Sequence, residues 1–325
     1  MSQPLFDDIV GRLQPHCQLA TTAVVTDHAS AAIADALHEA DGALVTLNER
    51  IGPAEIASAP RLRAVANVAV GHDNLDVRAL HARGIVATNT PDVLTETTAD
   101  LGFALMLAAA RRMGEAERWL RDGRWQGWNF LDLLGQDVHG STLGVLGMGR
   151  IGQGIARRAA GFGMRTLYHN RSRLPEAVEH DCCAQYATFD GLLAQADHLV
   201  LVLPYSAATR HVIDAAALAR MKPTATLTNI ARGGLVDEDA LADALAGGRL
   251  AAAGLDVFEG EPRINPRLLS LPNVMLTPHI GSGSLRTRRA MVACAVDNLL
   301  AALGFGANAG RPPNPIPPTG EPTFR

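Results

Sequence analysis

The chain has 325 residues, of which 47% are hydrophobic and 19% charged, and its formal net charge is -4. This length predicts two domains. A mildly acidic chain without a long basic run gives no electrostatic support for nucleic-acid binding. The apolar runs are too short to cross a bilayer, and acids stand where a signal peptide is basic, so we expect a cytoplasmic protein without membrane contact.

The cysteines show no metal-binding pattern. They are Cys17, Cys182, Cys183 and Cys294, without CxxC or Cys/His spacing. Free thiols in a reducing compartment are the simplest interpretation, and no metal site is predicted.

The first third of the chain alternates short apolar runs with amphipathic stretches. The predicted strands are Leu19–Val25, Ala43–Leu47, Leu62–Val68 and Ile85–Thr88. Helices are predicted at Ser30–Glu39 and Val77–Arg83. This alternation is typical of a parallel α/β sheet.

A long helix, Thr97–Asp122, and a Trp- and Gly-rich loop, 123–140, lead into a second α/β series. Its predicted strands are Thr142–Leu146, Arg165–His169, His198–Leu203, Ala225–Ile230, Gly254–Val257 and Val274–Thr277. The last predicted helix is Ser284–Leu303. We expect the Pro-rich tail, 310–325, to be extended or disordered and to form neither ladder nor helix.

A glycine-rich turn stands between a predicted strand and the helical stretch Gln153–Phe162. A GxGxxG turn in this context is typical of a site where a dinucleotide pyrophosphate meets a helix N-terminus. A turn without ligand and a methyltransferase-type turn are the alternatives. The predicted phosphate-binding residues are Gly147, Gly149, Arg150, Ile151 and Gly152.

The end of the next strand bears on the choice of nicotinamide cofactor. NAD-binding sites place an acid there for the ribose hydroxyl, whereas this chain has Asn170, Arg171, Ser172 and Arg173. Two arginines and a hydroxyl can bind a 2′-phosphate, so we predict that NADPH is preferred over NADH. The alternative is that both arginines are solvated loop charges.

Three further segments each follow a predicted strand, at the edge where open α/β sheets bind ligands. They are Asn229–Glu238, Gly254–Pro262 and Thr277–Ser282. With these segments, and with Val70–Asp76, Asn89–Thr95, Gly147–Gly152 and Ala293–Leu299, the chain resembles the D-isomer-specific 2-hydroxyacid dehydrogenase family from about Asp7 to Leu303. Within the family it is most similar to the bacterial glyoxylate/hydroxypyruvate reductase and 2-ketogluconate reductase branch.

The resemblance implies that Arg232, Glu261 and His279 are catalytic. The forked Arg232 guanidinium suits a 2-oxo acid, which carries a carboxylate beside a ketone. His279 would give a proton to the ketone oxygen as hydride reaches the carbon, and Glu261 would favour the charged imidazole and orient it.

The resemblance also assigns binding residues around these three. Asp256 would bond the nicotinamide carboxamide, Leu203, Pro204 and Ile230 would wall its pocket, and Thr209 completes the cofactor set. Besides Arg232 and His279, the predicted substrate-binding residues are Val70 and Gly71, through backbone N–H groups, and Leu47.

The implied fold class is α/β, with two Rossmann-like or flavodoxin-like parallel-sheet domains. A cofactor domain, residues 102–290, would be inserted into a substrate domain formed by 1–101 and 291–325. The resemblance further implies a homodimer formed through the arm Trp119–Gly135.

Two departures from the family leave the substrate and the N-terminal region open. The stretch Asp7–Leu13 resembles the family's first helix. Relatives have an apolar strand before that helix, so we expect a start upstream of Met1 or an altered substrate domain. Asp132 stands near a Trp of some hydroxypyruvate reductases. Glyoxylate, hydroxypyruvate, 2-ketogluconate and bulkier oxo acids all remain candidates.

Other functions are possible for this sequence. A phosphoglycerate-type NAD-dependent dehydrogenase is disfavoured, because no regulatory domain follows the last helix and the NAD-type acid is absent. Formate dehydrogenases have Gln in place of Glu261. A corepressor-like, dinucleotide-sensing binding module and an inactive paralogue remain alternatives, which turnover of a 2-oxo acid would exclude.

Overall fold

The computed structural model describes residues 5–21 and 30–318, which form two compact units. The first unit contains the described residues up to Leu94 and from Ser282 onward, and the second is Thr95–Gly281. Both boundaries lie earlier in the chain than the predicted domain limits at 101/102 and 290/291. No helix in the described part is long and apolar enough to cross a membrane.

The first unit is built on a three-stranded parallel sheet. Its strands, in spatial order, are β1 (Gly42–Val45), β2 (Ala64–Asn67) and β3 (Val86–Thr88). Four helices accompany them: α1 (Asp7–Val10), α2 (Ser30–His38), α3 (Pro53–Ala57) and α4 (Val77–Ala82). Every residue of β2 is buried, as expected for a parallel strand covered on both faces. Of the predicted strand Leu19–Val25, residues 19–21 are in no strand and 22–25 lie outside the described residues.

The second unit is a seven-stranded parallel sheet in the order β6-β5-β4-β7-β8-β9-β10. The strands are β4 (Thr142–Leu146), β5 (Arg165–His169), β6 (Ala184–Tyr186), β7 (His198–Leu201), β8 (Thr226–Asn229), β9 (Ala252–Leu255) and β10 (Val274–Leu276). Strand order reverses between β4 and β7, and such a switch point opens a crevice at the carboxyl ends of the strands. The sheet confirms the predicted α/β class and places the glycine-rich turn, which follows β4, beside that crevice.

Helices cover the sheet of the second unit. They are α5 (Thr95–Ala110), α6 (Met113–Arg121), α7 (Arg150–Ala160), α8 (Glu176–Asp181), α9 (Phe189–Gln195), α10 (Ala215–Arg220), α11 (Glu238–Ala246) and α12 (Pro266–Ser270). The single predicted helix Thr97–Asp122 is wrong, because the chain breaks at Arg112, where φ is +51°. The Arg112 guanidinium pairs with Glu115 in the next turn at 2.8 Å, and this pairing stabilises the new helix start.

The last helix, α13 (Leu285–Leu303), returns to the first unit. The Ser284 hydroxyl caps it by accepting the N–H of Thr287. Of the tail predicted to be extended or disordered, residues 319–325 lie outside the described residues; in the described part Pro315 makes an isolated antiparallel bridge with Thr88, and the Ile316 N–H donates to the Ala87 carbonyl at 2.8 Å. The Ile316 side chain is 2% exposed, so burial of one apolar residue holds the tail against the edge of β3.

Candidate active site

The glycine-rich turn has a backbone that only glycine can adopt. Gly147 has φ of +102°, and a Cβ there would stand 2.6 Å from the Leu203 nitrogen. A Cβ on Gly152 would stand 2.5 Å from the Gly147 oxygen. Gly149 is the N-cap of α7 and supplies no side-chain cap, and Arg150 and Ile151 follow in the first turn. This cradle fits a pyrophosphate bound at a helix N-terminus.

The loop after β5 is tied to this turn. The Asn170 Oδ1 accepts the N–H of Met148 at 2.7 Å, so Asn170 braces the turn from the position that an acid occupies in NAD-type sites. Arg171 and Ser172 are exposed. Arg173 is bonded to Glu179 through Nε and Nη2, a pairing that sequence reasoning missed.

Arg232 follows β8 in extended backbone. The buried Asn229 holds it, since the Asn229 Nδ2 donates to the Arg232 carbonyl at 2.8 Å and its Oδ1 accepts the N–H of Ala231 at 3.1 Å. The Arg232 Nη1 donates to the Ala231 carbonyl at 2.8 Å. Sequence reasoning gave Asn229 no role, although an amide at the end of a fully buried strand indicates a bonded turn.

Glu261 and His279 form a direct pair. The Glu261 Oε2 lies 2.8 Å from the His279 Nδ1, and the Glu261 Oε1 accepts the N–H of Phe258 at 2.8 Å. Burial raises the pKa of Glu261, but the His279 hydrogen bond and the charges of His279 and Arg232 outweigh it, and the net pKa is lowered. A carboxylate on Nδ1 fixes the imidazole and leaves Nε2 as the nitrogen that can exchange a proton with a ligand.

Asp256 anchors the turn that carries His279. This fully buried carboxylate accepts the Thr277 hydroxyl at 2.6 Å and the N–H groups of Ile280 and Gly281 at 2.8 Å each. Burial raises its pKa, while these donors oppose the rise. The Asp256 carbonyl also accepts the N–H of His279, whose φ is +51°. Asp256 therefore shapes the left-handed backbone at His279, and its predicted bond to nicotinamide stays a prediction.

The remaining predicted cofactor residues lie after β7 and β8. Leu203 is half-buried next to the glycine-rich turn, and Pro204 is exposed. The Thr209 hydroxyl donates to the Pro204 carbonyl at 3.0 Å, which closes a compact loop. Ile230 is 7% exposed and packs in the hydrophobic core against Gly102.

The predicted substrate-binding residues Val70 and Gly71 lie in the first unit. The Asn89 Nδ2 donates to the Val70 carbonyl and the Asn67 Nδ2 to the Gly71 carbonyl, both at 2.8 Å. Because a trans peptide places N–H opposite C=O, the Asn89 bond fixes the direction of the Gly71 N–H. Leu47 is partly exposed in the loop after β1.

The described residues include no group of three or more His, Cys, Asp or Glu side chains that could hold a metal ion. All four cysteines are free thiols. The residues around β8, β9 and β10 can bind an anion through Arg232 and transfer a proton at His279.

The chain is similar to known proteins over most of its length. Residues 103–281 match the family model for the D-isomer specific 2-hydroxyacid dehydrogenase, NAD binding domain. A glyoxylate reductase of Thermococcus gammatolerans is 49% identical over 82% of this chain and 80% of its own length. A glyoxylate/hydroxypyruvate reductase B of Pectobacterium atrosepticum is 46% identical over 91% of this chain and 92% of its own.

A solved structure of a reductase is also similar to this chain. The NADPH-dependent glyoxylate/hydroxypyruvate reductase of Sinorhizobium meliloti, in complex with NADP and malonate, superposes with a TM-score of 0.87 at 36% identity, and covers 100% of this chain and 98% of its own. The chain therefore belongs to the D-isomer specific 2-hydroxyacid dehydrogenase family and is an oxidoreductase that reduces 2-oxo acids to 2-hydroxy acids.

Proposed function

We propose that this enzyme reduces a small 2-oxo acid, either glyoxylate, hydroxypyruvate or 2-ketogluconate, with NADPH in preference to NADH. The observation that carries the proposal is the 2.8 Å pair of Glu261 and His279, in the same unit as Arg232 and the glycine-rich turn. Relatives named for glyoxylate and hydroxypyruvate support the first two substrates. The third rests on the sequence resemblance alone.

Each of the three side chains has one task in the reaction. Arg232 binds the substrate carboxylate and the adjacent ketone oxygen in its fork. A bound nicotinamide supplies the hydride to the keto carbon. His279 donates the Nε2 proton to the ketone oxygen, which becomes the hydroxyl of the product, and Glu261 stabilises the imidazolium before transfer and keeps its orientation. In the reverse direction His279 accepts the hydroxyl proton.

The preference for NADPH rests on the loop after β5. Asn170, Arg171, Ser172 and Arg173 include no acid that would repel a 2′-phosphate, and they include two guanidinium groups that can bind it. The Sinorhizobium meliloti relative, described as NADPH-dependent, was solved with NADP.

We also propose that cofactor-binding and substrate-binding residues are divided between the two units. The second unit carries the cofactor residues, and the first carries Val70, Gly71 and Leu47, whose assignment to the substrate rests on the family resemblance. We also propose a cytoplasmic location, because the four cysteines are free thiols, as expected in a reducing compartment.

The test is oxidation of NADPH and of NADH by the wild type with glyoxylate, hydroxypyruvate and 2-ketogluconate in turn. We expect the higher kcat/KM with NADPH. Arg232→Ala should lose most of this activity, and Arg232→Lys should recover little of it because a point charge cannot replace the fork. Faster turnover with NADH would refute the cofactor preference, and no turnover of any oxo acid by folded protein would refute the substrate class.

A homodimer formed through the arm Trp119–Gly135 is also proposed. The arm exposes a run of large apolar side chains: Trp125, Trp128, Phe130, Leu131 and Leu134. Such a patch on a soluble protein marks an interaction surface. Light scattering should give twice the chain mass, and the double variant Trp128→Ser, Phe130→Ser should give the single mass. Leu285→Ser, which changes an equally exposed leucine elsewhere, is the control. A monomeric wild type would refute the dimer.

A further inference from the structure

A buried carboxylate binds the loop Asn170–Arg173, which we propose to contact the 2′-phosphate of the cofactor. Glu179, on α8, is buried, and its two oxygens accept the Arg173 Nε at 2.8 Å and the Arg173 Nη2 at 2.7 Å. Tyr168, fully buried on β5, donates its hydroxyl to the same carboxylate at 2.6 Å. The Tyr168 oxygen also accepts the N–H of Leu174 at 2.8 Å.

This network fixes the loop at two points. A two-pronged pairing holds the Arg173 guanidinium in one plane, although its side chain is 65% exposed and would otherwise sample many rotamers. The Tyr168 bond fixes the backbone just after Arg173. The hydrogen bonds from Arg173 and Tyr168 lower the pKa of Glu179 to about 2, so the carboxylate is charged at neutral pH. The pairing uses the Nε and Nη2 of Arg173, and Nη1 takes no part in it.

Glu179 could act on binding of a 2′-phosphate in two opposite ways. A carboxylate close to a 2′-phosphate site repels the phosphate, so a purely electrostatic account makes Glu179 unfavourable for NADPH. Preorganisation would instead make Glu179 favourable for NADPH binding, because a guanidinium that is already oriented loses less conformational entropy when a phosphate binds. The two accounts therefore predict opposite results for neutralising Glu179.

We propose that Glu179 is a positioning residue for the 2′-phosphate of the cofactor: with Tyr168 it holds Arg173 and the chain at Leu174 in the binding geometry. This role rests on the proposed preference for NADPH. Glu179 itself does not touch the cofactor.

The test measures binding of two nucleotides by calorimetry, so it does not depend on turnover. The probes are 2′,5′-ADP, which carries the 2′-phosphate, and ADP, which lacks it. In Glu179→Gln, which preserves shape and removes the charge, we expect 2′,5′-ADP to bind about five-fold more weakly or worse, and ADP to bind as in the wild type. Equal or tighter binding of 2′,5′-ADP would overturn the positioning role.

A second variant keeps the proposal testable if Glu179→Gln folds poorly. Tyr168→Phe leaves the Glu179 charge and the ring in place but removes the bonds to Glu179 and Leu174, and it should weaken 2′,5′-ADP binding and spare ADP. Tyr186→Phe is the matched control, since Tyr186 packs edge-on against Tyr168 and lies outside the network. If Tyr168→Phe matches this control, the network does not position the loop. If the wild type binds 2′,5′-ADP and ADP equally, the NADPH preference itself is wrong. If the wild type prefers 2′,5′-ADP but the variants bind it as well as the wild type does, only the positioning role of Glu179 is wrong.

Discussion

Glu261 divides its two oxygens between the chain and the imidazole of His279. The Oε1 accepts the N–H of Phe258, and the Oε2 lies 2.8 Å from the His279 Nδ1. The carboxylate is thereby fixed with respect to the backbone, and the imidazole is fixed with respect to the carboxylate. This relationship explains how a histidine at a surface turn can present one defined nitrogen to a substrate.

Replacing Glu261 by Gln should reduce kcat by about 100-fold, because an amide can hold the ring but cannot stabilise the imidazolium that donates the proton. Steady-state kinetics of both proteins at one pH measure this effect. Glu259→Gln is the control, since Glu259 lies on the same loop and bonds His211 instead. A Glu261→Gln variant with the kcat of the wild type would contradict the pairing.

The same pair has a consequence for stability. The pKa of Glu261 is lowered in the folded protein from its ordinary 4.5, so the ionised Glu261 carboxylate stabilises the fold above that pH. The contribution is lost as the pH falls below 4.5 and through the lowered value. The difference in unfolding free energy between the wild type and Glu261→Gln should shrink over this acid range. A difference that grows on acidification would show that the sign is wrong.

Gly233 is expected to be irreplaceable, because a Cβ there would stand 1.8 Å from the Phe258 carbonyl carbon. The collision is with backbone, so Gly233→Ala must displace the segment that leads to Glu261. We expect a loss of about 2 to 4 kcal/mol in unfolding free energy and a lower kcat. Denaturant unfolding and turnover measure the two effects. In Gly161→Ala the nearest atom is 3.4 Å away, and that variant should behave like the wild type. Equal behaviour of the two variants would refute the close packing.

Ile316 should anchor the tail to the first unit. Its side chain is buried, and its carbonyl lies 2.9 Å from the His81 Nε2. Ile316→Ala should lower the unfolding free energy by about 2 to 4 kcal/mol, as expected for truncating a buried aliphatic side chain. Pro313→Ala, at an exposed position in the same tail, is the control. If both variants unfold like the wild type, the tail does not contribute to the core.

Features that depend on local sequence pattern could be predicted from the sequence. Strands β4 and β5 have the predicted bounds, because each is a short run bordered by turn residues. The glycine-rich turn could be predicted from spacing, since its glycines meet local steric demands at Gly147 and Gly152. Arg232, Glu261 and His279 could be named in advance because their segments follow predicted strands and resemble motifs of the D-2-hydroxyacid dehydrogenase family.

Features that depend on distant contacts could not be predicted in this way. The edge strand Ala184–Tyr186 is only three residues long and mostly exposed, so it shows no hydrophobic period. The tail reads as disordered because its anchor is one isoleucine among prolines, and the partner of that residue is a strand far away in sequence. The pairing of Arg173 with Glu179 depends on the position of α8, which packs against β6, and the loop sequence does not reveal that position.

The central claim is that His279 gives the proton to the ketone oxygen, and His279→Gln tests it most directly. The measurement is kcat for NADPH-dependent reduction of the oxo acid that the wild type reduces fastest, together with the NADPH dissociation constant. We predict that kcat falls by about 100- to 10,000-fold while NADPH affinity changes little, since only proton transfer is removed. A variant that retains wild-type kcat would contradict the account and would require another proton donor.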